Sequence, residues 1–505
     1  MKKRLTALIT AVALIFTGCA GEGADSTSDA SSVPETSVTS TLNSSSQPES
    51  SAPETVNSST ESSAPETESS TISEESSAPN TEATTLSTTT VMTTTTTTTK
   101  ATTTTKATTT TKATTTTKVT TTKSTTTKPA PSPAPADDSW KYEIITATEM
   151  AQKMGLGLNL GNTMEAYEAT NCEKITFEWI PIVGSNQPTD YEQCWGANIT
   201  TQKIIDGMKS EGFNTVRIPV FWGNMMKNDG TYTINKEYLA RVKEIVDYCE
   251  KAGVYSVINI HHFDEFIIRR NNLEDCEKIF TNLWTQIAEY FADYPYTVVF
   301  EGFNEYLGGS QFDKSGNLKD QTDANAYKMT NALNKAFVNA VRSTGGYNAQ
   351  RVLIVSGYWT NIDKTTSSKF VMPEDIVNDR LMVSVHYVDN AMYWSNKIGS
   401  DEWLKYIDNQ CDKLKEAFLD EGIPVFMGET TAYYPKGNMA KNSKYTSSEC
   451  LSIVLEKLTD LGIVPVIWDT QNSSSFYNRN TYKIADSSNR AVIKKFADIL
   501  SKKAQ

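Results

Sequence analysis

Residues 201–262 read TQKIIDGMKSEGFNTVRIPVFWGNMMKNDGTYTINKEYLARVKEIVDYCEKAGVYSVINIHH. Two units of one kind lie in that stretch. Thr201 to Glu211 carries apolar residues at helical spacing and stops at Gly212, the residue type expected just past a helix because it takes a left-handed backbone without a Cβ penalty. The apolar run NTVRIPV follows from Asn214 as a strand. Lys236 to Ala252 repeats the amphipathic pattern, Gly253 ends it, and VYSVINIHH from Val254 is the next strand. Helix, glycine, buried strand, twice in that order, predicts a parallel sheet with helical crossovers.

Outward from there the pattern recurs. The runs GLGLNL at 155, TVVFEGFNE at 297, RVLIVS at 351, LMVSVH at 381, PVFMGE at 424 and VPVIWD at 464 bring the strands to eight. Helices are expected over Asn282 to Ala292, Asn325 to Thr344, Glu402 to Glu421 and Ser447 to Leu461, with Gly345, Gly422 and Gly462 closing three of them. The stretch after RVLIVS is loop-rich. Eight near-continuous apolar strands alternating with helices predict an α/β fold closed as a (β/α)8 TIM barrel over residues 137–505.

The first part of the 505-residue chain is of another kind. Lys2, Lys3 and Arg4 precede an apolar run from Leu5 to Phe16 that is too short to span a bilayer, the pattern of a secretory signal. Thr17-Gly18-Cys19 resembles the bacterial lipobox, with Phe16 where Leu usually stands. This implies a signal over 1–19 and a lipid on Cys19. Residues 20–136 are Ser, Thr, Pro, Glu, Ala and Lys, with SSAPET-like repeats and Thr runs punctuated by lysines. Such a segment buries too little apolar surface to offset its ordering entropy, so it reads as a disordered linker. As a coil it spans on the order of 60 Å. The expected protein is extracellular or at the cell surface, monomeric, and attached to the membrane only through its lipid. The net charge of -13 excludes a nucleic-acid partner, whose phosphates demand a basic face. Of six further cysteines, Cys249, Cys276, Cys411 and Cys450 fall in helices as small buried hydrophobes; Cys172 and Cys194 are close enough in sequence to allow a bridge.

In a barrel of this kind, catalytic groups gather at the C-terminal ends of the strands. Those ends carry Asn159, Arg217, His261 with His262, Asn304 with Glu305, His386, Glu429 and Trp468. Glu305 and Glu429 stand out from 60 acidic residues because each directly ends an apolar strand. Glycosidic cleavage needs such a pair: one protonated carboxyl to donate to the leaving oxygen and one carboxylate to attack, about 5 to 5.5 Å apart when configuration is retained. Arg217 is placed to hold the attacking carboxylate ionised. His261 and His262 are neighbours, so a regular strand sends them to opposite faces and at most one enters the cleft unless the strand end is irregular. Asn304 and Glu305 raise the same problem: for both to work in the site the backbone must leave regular strand geometry there, as at a bulge. Trp468, with Trp195, Trp222, Trp359 and Trp394 in loops, offers flat surfaces for sugar rings.

The motifs GLNLGNTMEA at 157, CWGANITTQKIIDGMKSEGFNTVRIPVFW at 194, VINIHHFDE at 257, FEGFNEYLGG at 300, VSVHY at 383, FMGET at 426 and VIWDTQN at 466 come in one order. Together they make residues 150–500 resemble glycoside hydrolase family 5, and within it the endo-β-1,4-glucanases of broad glucan preference. The resemblance implies a retaining enzyme of β-glucan with Glu305 as acid/base and Glu429 as nucleophile. It also implies Asn304 on the sugar 2-hydroxyl, Arg217 and His261 on the nucleophile's side, His386 beside the acid/base and Trp468 under the sugar. Asn162, His262 and Tyr387 count among the supporting residues, and neither metal nor cofactor is required. One position departs: where the family has Tyr two residues after the sixth strand's His, this chain has Val388, and Tyr387, Tyr393 or Tyr433 is expected to substitute. Xyloglucan, mixed-linkage glucan and mannan are the alternative substrates, and a non-catalytic glycan-binding surface lipoprotein is the alternative of another class. A metal-dependent hydrolase using His261, His262, His386 and Asp264 is disfavoured by the diverging histidines.

Overall fold

A computed structural model of the chain describes residues 138–168, 182–227, 229–262, 272–306, 323–431, 441, 443–471 and 475–504, with the backbone at 311–312 and 318–320. The signal, the linker, Cys19, Cys172, Asp264 and Tyr433 lie outside the described residues.

All eight expected strands form: β1 (Gly157–Asn159), β2 (Thr215–Ile218), β3 (Tyr255–Asn259), β4 (Val298–Glu301), β5 (Leu353–Ser356), β6 (Leu381–His386), β7 (Val425–Thr430) and β8 (Val464–Ile467). Each pairs in parallel with the next and β8 pairs with β1, so the sheet closes into a barrel. Closure brings β1 and β8 very near each other at Gly157, where a Cβ would lie 2.7 Å from Val466.

The outer ring holds α1 (Ala147–Met154), α2 (Gln202–Glu211), α3 (Lys236–Ala252), α4 (Leu273–Tyr290), α5 (Asp323–Ser343), α6 (Asp401–Leu414), α7 (Ser447–Asp460) and α8 (Ser487–Lys503). Helix α3 has the expected bounds. It buries Tyr238, Leu239, Val242, Ile245, Val246 and Cys249 along one stripe, each large apolar side chain contributing about 1.5–3 kcal/mol. Gly212, Gly253, Gly345, Gly422 and Gly462 all have positive φ. Three expectations need correction. Helix α4 begins nine residues before Asn282, because Asn272 caps it by accepting from the Asp275 N–H. Helix α6 ends at Leu414 and widens into a π turn over Lys415–Leu419. Helices α1 and α8 were not anticipated, although Thr146 with Glu149 makes a capping box for the first. Cys249, Cys276, Cys411 and Cys450 are buried in helices, and Cys194 is bridged to no described residue. No helix among the described residues is long and apolar enough to cross a membrane.

Alternation along the strands divides the barrel interior into two parts. Val257, Val299, Ile354, Met382, Phe426, Val464 and Val466 pack with Met150 and Met154 of α1, so the lower interior is apolar and α1 closes it. Two residues further along the same strands stand Asn259, Glu301, Ser356 and Ser384, joined by Asn159 and Arg217, all fully buried. The upper interior is therefore polar, and the mouth opens above it.

Candidate active site

Arg217 is the hub of the polar upper interior. Its side chain is 0% exposed, and three nitrogens reach four partners. Nε donates to Glu301 Oε2 at 2.7 Å, Nη1 to Asn159 Oδ1 and Glu429 Oε1 at 3.0 Å each, and Nη2 to Asn304 Oδ1 at 2.9 Å. A buried guanidinium needs such pairing, since desolvation is repaid only by well-formed charge-assisted bonds. Sequence reasoning missed Glu301. It lies beneath the mouth and also accepts from Ser384 Oγ at 2.7 Å. A charge inside the otherwise apolar VVFEGF run was the available signal.

Glu429 is carried by a bulge. Val385 of β6 pairs with Met427 but His386 pairs with Glu429, and the register slips likewise against β8, so β7 holds one extra residue at Gly428. A Cβ there would sit 3.0–3.1 Å from His386 Nε2, Glu301 Oε1 and Ser384 Oγ, which explains the glycine. The bulge aims Glu429 at the mouth. Its second oxygen accepts from the Tyr387 hydroxyl. Tyr387 reaches it because its backbone is left-handed, φ 52°, with its N–H on the Glu429 carbonyl at 2.8 Å. Val388 meanwhile is buried in the core. Of the tyrosines expected to substitute for one at 388, Tyr387 is the one whose hydroxyl reaches Glu429 among the described residues. Tyr393 instead packs edge-on against Trp394.

Glu305 does not end its strand, as the sequence suggested. Strand β4 stops at Glu301, and Asn304 and Glu305 lie in a bend three and four residues on. The backbone leaves strand geometry as expected, at a bend rather than a bulge, and both residues reach the site. Glu305 Oε1 meets His386 Nδ1 at 2.8 Å. Burial raises the Glu305 carboxyl to about 7, the Arg217 charge opposing it. Burial also raises Glu429, against the pull of Arg217 and the Tyr387 bond. His386 is lowered to about 4 by burial, so its imidazole is neutral at pH 7 and bonds Glu305 without adding charge. One oxygen of Glu305, one of Glu429 and a His386 nitrogen lie within 4.8 Å of one another. That separation belongs with retaining rather than inverting glycosidases, whose carboxyls stand about 6.5–9.5 Å apart. The trio also has the spacing of metal ligands, but Arg217 already places a cation 3.0 Å from Glu429.

His261 and His262 do not diverge as a regular strand would send them: both lie past the end of β3 and their rings meet edge-on, centroids 4.9 Å apart. His261 Nδ1 meets Asn259 Nδ2 at 3.1 Å and its ring lies parallel to Trp468, centroids 6.4 Å apart. His262, at φ 55°, packs among Tyr167, Trp195 and Phe221. Trp468 follows β8 and donates its N–H to Thr430 O at 2.9 Å, next to Glu429. Asn162 is not brought to the carboxylates. It occupies the turn after β1, where its N–H bonds Glu165 and its Oδ1 is buried without a partner. Of the other tryptophans, Trp222 is buried and bonded to Asn259 O, Trp195 is half-buried, and Trp359 and Trp394 are exposed.

Residues 176–474 match the model of the cellulase family, glycosyl hydrolase family 5. The chain belongs to glycosyl hydrolase family 5. It is 31% identical to Endoglucanase B of Ruminococcus albus over 70% of this chain and 82% of that one. It is 32% identical to Endoglucanase A of Clostridium longisporum over 64% of this chain. The chain spans 59% of that relative and 65% of Endoglucanase B of Neocallimastix patriciarum. Among solved structures it is similar to a broad specificity endoglucanase of family 5 from an uncultured bovine rumen ciliate, at 31% identity and a TM-score of 0.58. That match covers 70% of this chain and 98% of the other. A Bacteroides ovatus xyloglucanase of the family, in complex with a XXXG heptasaccharide, matches at 26% identity with a TM-score of 0.59, over 74% and 81%.

Proposed function

We propose that this chain is an endo-acting, retaining β-1,4-glucanase. The observation that carries the reading is the pair of mouth carboxyls within 4.8 Å, one on neutral His386 and the other between Arg217 and Tyr387. In this reading the ionised Glu429 attacks the anomeric carbon while protonated Glu305 gives its proton to the leaving glycosidic oxygen. The glycosyl ester on Glu429 is then hydrolysed by a water that Glu305 deprotonates, releasing Glu429. Asn304 has its amide nitrogen free to donate to the sugar once Oδ1 is taken by Arg217, and Trp468 underlies the ring. His261 keeps Trp468 in place, Tyr387 holds Glu429 ionised, and His262 and Asn162 support the surrounding loops.

The family relatives are named endoglucanases and xyloglucan-specific glucanases, so β-1,4-glucans are the proposed substrates. The proposal includes export, with a lipid on Cys19 and residues 20–136 as tether to a monomeric domain. Loss of labelled fatty acid in Cys19→Ser would support the anchor, and unchanged labelling would reject it.

The test is reducing-end release from carboxymethyl cellulose, barley β-glucan, xyloglucan and mannan, by the full chain beside Glu305→Ala and Glu429→Ala. Release from a glucan that drops by about three orders of magnitude or more in both variants is the expected result. Action on mannan alone, or glycan binding with no release, overturns it.

A further inference from the structure

Strand β8 is followed by a short hairpin, Tyr477–Asn478 against Lys483–Ile484, that takes no part in the barrel. Arg479 turns from it back toward the mouth and is 0% exposed along its side chain. Its Nη2 donates to Gly161 O at 2.8 Å and to Asp469 O at 3.4 Å, with the Asp469 carboxylate 3.9 Å away. Nε, Nη1 and Asp469 Oδ2 have no hydrogen-bond partner among the described residues. A buried ion pair is often no more stabilising than apolar residues of the same volume, and one this incompletely bonded is a poor source of stability. What it touches is more informative.

Both carbonyls belong to the segment that seats Trp468. Gly161 N donates to Asp469 O at 3.0 Å, and Gly161 bridges Thr470, extending the β1–β8 pairing past the strand ends. A Cβ on Gly161 would lie 3.0 Å from two carbons of the Trp468 ring and 2.6 Å from Asp469 O, so the indole rests directly against the Gly161 backbone. The Trp468 backbone N–H is tied to Thr430 O, one residue past Glu429. Asp469 in turn fixes the hairpin, its Oδ1 accepting from Phe476 N at 2.6 Å and Tyr477 N at 3.2 Å. Trp468 is therefore held at two points: its backbone on the nucleophile's strand, and its indole against the Gly161–Asp469 pair that Arg479 holds.

We propose that Arg479 is a positioning residue for catalysis: by gripping the Gly161 and Asp469 carbonyls it sets the height and tilt of Trp468 against Glu429. This rests on Trp468 being the sugar platform. A displacement of about 1 Å at a reacting group costs on the order of 100-fold, so a remote grip can be felt in turnover.

The test is a double-mutant cycle on the full chain, with kcat and KM measured on soluble β-glucan. Arg479→Met lowers kcat/KM by about 10- to 100-fold in the parent but by under about twofold in Trp468→Ala, where there is no platform left to misplace. Arg479→Lys, which keeps one donor and the charge, recovers part of the loss. Asp469→Asn keeps the acceptor for Phe476 and Tyr477 and shows a smaller loss of the same dependence on Trp468, so the proposal stays testable if the Met variant folds poorly. Equal losses in both backgrounds mark Arg479 as merely structural and overturn the proposal. Parent-level activity in Trp468→Ala alone sinks the platform reading and the proposal with it, while leaving the two-carboxyl reading to its own variants.

Discussion

Tyr387→Phe deletes one hydroxyl from the mouth and keeps the ring. That hydroxyl donates to Glu429 Oε2 while Arg217 holds Oε1, so the variant leaves the nucleophile with one of its two donors. A hydrogen bond to a charged group contributes about 1.5–3 kcal/mol. Lost entirely from the transition state, that is roughly a 10- to 150-fold fall in kcat/KM. The same loss acts on the titration. Burial already lifts Glu429 and the Tyr387 bond is among the effects pulling it down, so without that bond the carboxyl rises further. Glu429 must be ionised to attack, so the acid limb of the kcat/KM profile moves upward. The alkaline limb reports Glu305, which must be protonated and sits at about 7, and it stays in place. The working window narrows from below. Initial rates on soluble β-glucan across the pH range measure both limbs. A Phe variant whose profile overlays the parent refutes the reasoning, and movement of the alkaline limb alone would transfer Tyr387 to Glu305.

Glu305→Gln should abolish turnover yet stabilise the fold in alkali. The folded carboxyl at about 7 lies above its ordinary 4.5, so its share of stability is complete below 4.5 and is lost as pH rises through 7. Differential scanning calorimetry should find the variant melting above the parent near pH 8, with the gap closing toward pH 5, and a gap independent of pH would contradict this. Gly428→Ala places a methyl 3.0–3.1 Å from His386, Glu301 and Ser384 at the bulge. Urea unfolding should register about 1–3 kcal/mol of destabilisation and kinetics a fall in kcat, whereas a fully active variant would mean the bulge has room to spare.

Strand positions were legible because each strand is an unbroken apolar run, and α3 because its stripe and its glycine agree. The misses have local causes. The segment Leu273 to Thr281 begins with charged residues and hides a helix start that Asn272 sets by its cap. Arg217, His386 and Glu429 were found because they sit at strand ends. Glu301 was overlooked because the apolar run reads on to Glu305, so the true end of β4 at Glu301 passed for mid-strand, and only pairing across the barrel gives it a role. The left-handed turn at Tyr387 was not readable, since a non-glycine there is held by its bonds to Glu429 rather than by its own preference. Arg479 was equally hidden, because its partner Gly161 is 318 positions away along the chain.

The barrel's polar upper interior sets two demands on the same few atoms. Arg217 pairs with Glu301 and Glu429 out of water, an arrangement that well-packed apolar residues would match or exceed for stability. Selection for a sturdier molecule would dismantle this triad, and selection for turnover preserves it. Thermal improvement in this protein is therefore best sought in the helical ring and the apolar floor, where gains do not trade against the chemistry above.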